Sequence, residues 1–242
     1  LWLWAADERG EPLVLRGHTS SVTAVRADAA GSRLLTAAYE DPNPRLWQLG
    51  DDPQVRRGHD GLIERIAWDR GGARLLSAAG DGTVRLWPRE GGPPQVLRRH
   101  REDSAVVAAW RPDGAVVATA GSDGAARLWR VDGPEPALLA GLVEHVPEDS
   151  EAPALRDVAW SPAGDLLALA GDDGAVRLWT IAADGAPTEP ARVSLGTGPI
   201  ELVRFAPAGA RLACAGADGD AGLIALAAGR AGAPARLGGH AA

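Results

Sequence analysis

Short runs of apolar and polar residues return along this chain at a nearly constant interval. Val22 to Arg26, Leu34 to Ala38, Ile63 to Trp68, Arg74 to Ala79, Ala105 to Trp110, Val116 to Ala120, Leu155 to Trp160, Leu166 to Ala170, Ile200 to Phe205 and Arg211 to Ala215 each have the length and residue types of a strand. Turn residues separate them: Gly31, Gly71-Gly72, Pro112-Asp113-Gly114, Pro162-Ala163-Gly164 and Pro207-Ala208-Gly209, with a longer turn expected over Tyr39 to Pro44. No stretch has helical period. The pattern predicts an all-β chain.

The third strand of each unit carries the strongest repeat. Gly80 to Trp87 reads GDGTVRLW, and its copies end at Trp47, Trp129 and Trp179, with a shortened LWLW ending at Trp4 and an eroded copy ending at Ile224. Positions 4, 47, 87, 129, 179 and 224 are separated by 43, 40, 42, 50 and 45 residues. An aspartate stands six positions before the end of the last five copies: Asp41, Asp81, Asp123, Asp173 and Asp218. Glycine after aspartate suits a tight turn, because it takes positive φ without a Cβ clash; Asp41-Pro42 departs from this. The period predicts a half unit at about 1–16 and complete units at about 17–57, 58–98, 99–140, 141–195 and 196–238.

Composition narrows the partners. With 242 residues, 45% of them hydrophobic, the chain can bury a substantial core. A formal net charge of −7 disfavours a phosphate-binding surface, so no nucleic-acid partner is expected. No apolar run reaches the length of a membrane span, and no membrane partner is expected. The single cysteine, Cys214, excludes an internal disulfide framework and fits a reducing, cytoplasmic setting. All 25 basic residues are arginine; with abundant Ala and Gly this suggests a GC-rich bacterial source. The absence of methionine and a start inside a unit suggest a piece of a longer chain.

A Gly-His pair, a strand pair and then DGxVRLW resemble the WD-repeat β-propeller family over essentially the whole sequence. The usual Asp after the Trp is replaced by Gln48, Pro88, Arg130 and Thr180. The resemblance implies four-stranded antiparallel blades around a channel: five complete blades plus a half blade, part of a seven-bladed ring. It also implies buried hydrogen-bonded sets of His, hydroxyl, Asp and Trp. These are His18, Thr36, Asp41 and Trp47; His59, Ser77, Asp81 and Trp87; and His100, Thr119, Asp123 and Trp129. Ser, His and Asp together invite a hydrolase reading. Recurrence at blade period, each time with a Trp, argues for a structural device instead, so no catalytic residue is assigned. Leu169 and Cys214 take the hydroxyl place in the last two blades, and the blade from about Ile200 to Leu237 is expected to be the least stable.

Binding is expected where the repeat is broken. Tyr39-Glu40-Asp41-Pro42-Asn43-Pro44 lengthens a turn and holds the only tyrosine; Glu144 to Glu151 lengthens a blade connection by about five residues. In an antiparallel meander both emerge at the same end. Tyr39, Glu40, Asn43, Glu144, His145, Glu148, Asp149 and Glu151 are therefore candidate partner-binding residues. The acidic group has no fixed metal-ligand spacing, and neither a metal site nor a cofactor is assigned. Arg45, Arg85, Arg127 and Arg177, each two before its Trp, read as packing stems with solvated heads. Phosphate cradles and nucleophile elbows are absent from the sequence. The resulting expectation is a non-catalytic scaffold or sensor propeller that binds a protein or peptide, or regulates an attached effector domain of a bacterial signalling protein. Two alternatives are an enzyme using Glu40, Asp41, His145 and Glu148 at the channel mouth, and a structural module closing its ring by strand exchange.

Overall fold

The computed structural model describes residues 1–3, 13–48, 54–98, 100–101, 104–142, 152–188, 190–195, 198–219, 221–227 and 230–237. These residues form five four-stranded antiparallel sheets, preceded by a two-stranded pair of Trp2–Leu3 with Leu13–Val14. Each sheet is a meander in chain order, so each is one blade. Blade one comprises Val22–Ala27, Arg33–Ala38, Asp41–Gln48 and Gln54–Val55. Blade two comprises Ile63–Trp68, Arg74–Ala79, Thr83–Pro88 and Gln95–Arg98. Blade three comprises Val106–Trp110, Val116–Gly121, Ala126–Arg130 and Ala137–Leu142. Blade four comprises Leu155–Trp160, Leu166–Gly171, Ala175–Thr180 and Ala191–Ser194, and blade five Ile200–Phe205, Arg211–Gly216, Ala221–Ala227 and Arg230–Leu237. No helix occurs among the described residues.

The apolar residues of each blade are buried against the next blade rather than in one central core. Leu35, Ala37 and Leu46 of blade one pack with Ile66, Leu75 and Trp87 of blade two. Leu76, Val84 and Leu86 of blade two pack in turn with Val117 and Trp129 of blade three. The same sandwich recurs between blades three and four and between four and five. The second strands of blades one to four are buried almost end to end, as in Val116–Gly121 and Leu166–Gly171, because blades cover both of their faces, whereas Arg211–Gly216 of blade five is only half buried. First strands are innermost, and those of neighbouring blades touch. Together they line a channel space of about 320 Å³ bordered by Arg26, Arg65, Ala108, Val158 and Arg204.

One turn is shorter than the sequence suggests. Proline-rich Tyr39 to Pro44 was expected to be turn throughout, yet the strand already begins at Asp41 and only Tyr39 and Glu40 lie between paired Ala38 and Asp41. Pro42 and Pro44 fit because the ladder to the second strand bulges there, and pairing with the outer strand starts only at Arg45. A residue without an N–H costs little where no ladder bond is required of it.

Candidate functional site

Three blades carry the same chain of hydrogen bonds. In blade two the Trp87 Nε1–H donates to Ser77 Oγ at 2.8 Å, Ser77 Oγ lies 2.8 Å from His59 Nε2, and His59 Nδ1 lies 2.9 Å from Asp81 Oδ2. In blade one Trp47 Nε1 meets Thr36 Oγ1 at 2.8 Å, with His18 at 2.7 Å from that hydroxyl and 2.8 Å from Asp41. Blade three repeats this with Trp129, Thr119, His100 and Asp123 at 3.1, 2.9 and 3.0 Å. The donors and acceptors match if each imidazole is neutral with its proton on Nδ1. The hydroxyl then accepts from the indole and donates to Nε2, while Nδ1–H donates to the carboxylate.

The electrostatics favour that state. Burial is the largest influence on His59 and His100 and holds both below the ordinary imidazole value, despite the opposing pull of Asp81 and Asp123; His18 is lowered in the same way. Burial alone would raise the Asp81 carboxyl, but the hydrogen bonds from Thr83 and His59 together bring it below the usual carboxylate range. A hydrolytic serine needs an exposed hydroxyl facing substrate. Ser77 is 1% exposed and its oxygen is already engaged by Trp87 and His59.

Blade four breaks the chain in a specific way. Leu169 stands opposite Arg177 in the ladder, as Thr119 stands opposite Arg127, so the hydroxyl place is filled by an alkyl group. An added Cβ at Gly121 in blade three would meet His100 Nδ1 and Asp123 Oδ1 at 2.6 and 2.5 Å. At the corresponding Gly171 it would meet Arg177 Nη1 and Asp173 Oδ1, both at 2.6 Å. The Arg177 guanidinium thus occupies the place of the imidazole, bonded twice to Asp173 at 3.0 and 2.7 Å. Trp179 Nε1 is buried and has no hydrogen-bond partner among the described residues. In blade five Cys214 Sγ, 3% exposed, donates to Gly222 O at 3.3 Å, and burial pushes its thiol up to about 11.

Two heads of the arginine row, those of Arg45 and Arg177, are paired rather than solvated as the spacing suggested. Arg45 pairs with Asp41 at 3.2 Å, and Arg177 is buried on Asp173. The physical reason is that the heads of Arg45 and Arg177 lie over partly or fully buried carboxylates whose charge they partly neutralise.

Among the candidate binding residues, Tyr39 and Glu40 form the tip of the blade-one turn. Tyr39 is 55% exposed, its backbone N–H donates to Ser21 O at 2.8 Å, and Ser20 Oγ donates to its carbonyl. Glu40 has φ of +56°, the one positive value at a non-glycine position among the described residues. Asn43 does not join this tip: its backbone and side-chain N–H groups bond Asp41 Oδ1 at 3.0 and 3.2 Å, the backbone bond being the counterpart of that from Thr83 N to Asp81 in blade two. Leu62, exposed and just ahead of the inner strand of blade two, lies at the same end of the ring. Glu144, His145, Glu148, Asp149 and Glu151 lie outside the described residues.

Two features escaped the sequence reading. Trp68, Trp110 and Trp160 end three inner strands; the Trp68 and Trp160 indoles donate to Arg26 O and Ala109 O of the preceding blades at 3.3 and 3.2 Å. Arg74 lies 4.7 Å over the Trp110 ring. Their spacing follows the repeat and was a usable signal. The second is Asp157, fully buried in the channel wall, which accepts from Val203 N at 3.0 Å and from Arg65 and Arg204. It follows a bulge in its inner strand, as Arg65 does in blade two, and the bulge turns each side chain toward the channel. Nothing local in the sequence marks that pairing.

Blades packed face to face around a channel, tied by repeated His, hydroxyl, Asp and Trp sets, define a β-propeller of the WD type. The chain belongs to the WD40 family: the WD domain, G-beta repeat pattern matches residues 11–48, 51–88, 91–130 and 142–180, more than half of the sequence. Among solved structures, the β-propeller domain of Myceliophteria thermophila Cps50 (Swd1) is similar at a TM-score of 0.72. The match covers 87% of this chain and 67% of that one at 21% identity, a likeness of fold. Comparison with curated proteins gives no match.

Proposed function

We propose that this propeller is a non-catalytic binding platform that takes a protein or peptide partner at the end of the ring carrying the Tyr39-Glu40 turn. The observation behind this reading is the pairing of an exposed aromatic with a strained neighbour. In the equivalent turns of other blades the positive φ falls on Gly82, Gly124 and Gly174. Here it falls on Glu40, which a stability-optimised turn would replace with glycine. Strain retained beside an exposed tyrosine fits a recognition tip, since aromatic anchors contribute much of the energy of protein interfaces. In the finer form of the proposal, the partner is an effector domain of a larger bacterial signalling protein that the propeller regulates. That form rests on the resemblance of such arrays to sensor regions.

A photo-crosslinking side chain placed at Tyr39 is expected to trap the partner in cells of the source organism, whereas the same group at Ala163, in a turn at the opposite end, traps none. Affinity for the trapped partner should then fall about tenfold or more in Tyr39→Ala. Equal trapping from both ends, or unchanged affinity in Tyr39→Ala, would refute the proposal.

A further inference from the structure

The break in blade four leaves more than a missing bond. A cavity of about 190 Å³ lies between blades three and four, and both Leu169 and Trp179 border it. Its wall is largely apolar, with Leu142 from blade three and Pro153 and Leu155 at the start of blade four. Arg177 also reaches it, with its charge met by Asp173. Trp179 is 5% exposed, and its Nε1–H has no acceptor among the described residues. In the other three Trp-bearing blades that N–H points at a hydroxyl on the residue corresponding to Leu169. The bare donor is therefore directed toward the Leu169 side of the cavity.

A buried donor without an acceptor is costly, and an apolar cavity of this size holds a single ring: one of about 150 Å³ accommodates benzene. We infer that the seam between blades three and four is a binding site for a compact, mainly apolar molecule of about one ring. The ligand carries a single acceptor oxygen, which takes the hydrogen bond of Trp179. The acceptor fixes orientation, and the ring fills the apolar space beside Leu142 and Leu155. A carboxylate or phosphate on the ligand is disfavoured, because the Arg177 charge is already met by Asp173 and Asp123 lies on the wall. The site is separate from the Tyr39 end-face proposal and stands or falls without it.

The test uses the full chain labelled at tryptophan nitrogen and follows the indole N–H signal that disappears in Trp179→Phe. Cyclohexanone is the probe and methylcyclohexane, of similar shape but without the oxygen, the control. The expected result is a saturable shift of the Trp179 signal with cyclohexanone and binding of methylcyclohexane about tenfold weaker or less. Leu169→Thr supplies an acceptor from within; it should shift the Trp179 signal without any probe and weaken cyclohexanone binding about tenfold. If Trp179→Phe does not fold, assignment in the wild-type chain through contacts to the Leu169 methyl groups serves instead. The inference is overturned if cyclohexanone leaves the Trp179 signal unchanged up to its solubility, or if the control binds equally well. It is equally overturned if that signal already lies with those of Trp47, Trp87 and Trp129 in the probe-free protein, which would show an internal acceptor.

Discussion

Ser77 is a junction for two buried groups, accepting from Trp87 and bonding His59. Removing its hydroxyl leaves both groups without their partner, so Ser77→Ala is expected to lower unfolding stability by about 2 kcal/mol in a denaturant titration. The histidines set a pH dependence whose sign follows from their environment. Burial holds folded His18, His59 and His100 below the ordinary imidazole value, so the unfolded chain takes up protons first as the pH falls. Their contribution is complete above about pH 6.5 and declines below it, and the melting temperature should fall from that point well before the carboxylates titrate. A melting temperature flat between neutral pH and the carboxylate range would contradict this. Glu40→Gly relieves a left-handed conformation and should raise stability by about 0.5–1 kcal/mol. The His, hydroxyl, Asp and Trp residues can be located in the sequence because their offsets are constant. The carboxylate beneath Arg45 and Arg177 stands four residues earlier in the same repeat, so each pairing was legible in the sequence; the burial of the heads was not, because it depends on how the blades pack.

At the scale of the element, the strands were readable from alternation and turn residues, and only their neighbours limited the reading. Pro42 and Pro44 signal a turn locally but sit in a strand, because a ladder bulge removes the demand for their N–H groups. Asp157 shows the other limit. Its partners Arg65 and Arg204 are 92 and 47 residues away in the chain, so no local pattern announces the clamp. Asp157→Ala removes a fully buried carboxylate, leaves Arg65 and Val203 N without this acceptor, and leaves Arg204 only its bond to Val203 O. Arg204 is partly solvated, which softens the loss; a cost of about 3 kcal/mol is expected, near the lower end for a broken buried pair. Since the clamp ties blade five to blade four, amide exchange in Arg211–Gly216 should accelerate more than in Arg74–Ala79.

Over the whole molecule, stability is shared among blade-to-blade sandwiches, so damage in one blade is felt mainly by its neighbours. That leaves the ends of the ring free to vary. Labour is divided accordingly under the proposed function: repeated sets hold the blades, and the broken repeat at Tyr39-Glu40 is the proposed binding tip. The most direct test is the partner's dissociation constant measured with Tyr39→Ala and Ser77→Ala side by side, below the melting temperature of both. An increase of about tenfold or more is expected for Tyr39→Ala and no change for Ser77→Ala. The reverse order, or an equal loss in both, would contradict it, because the repeated network rather than its interruption would then carry recognition.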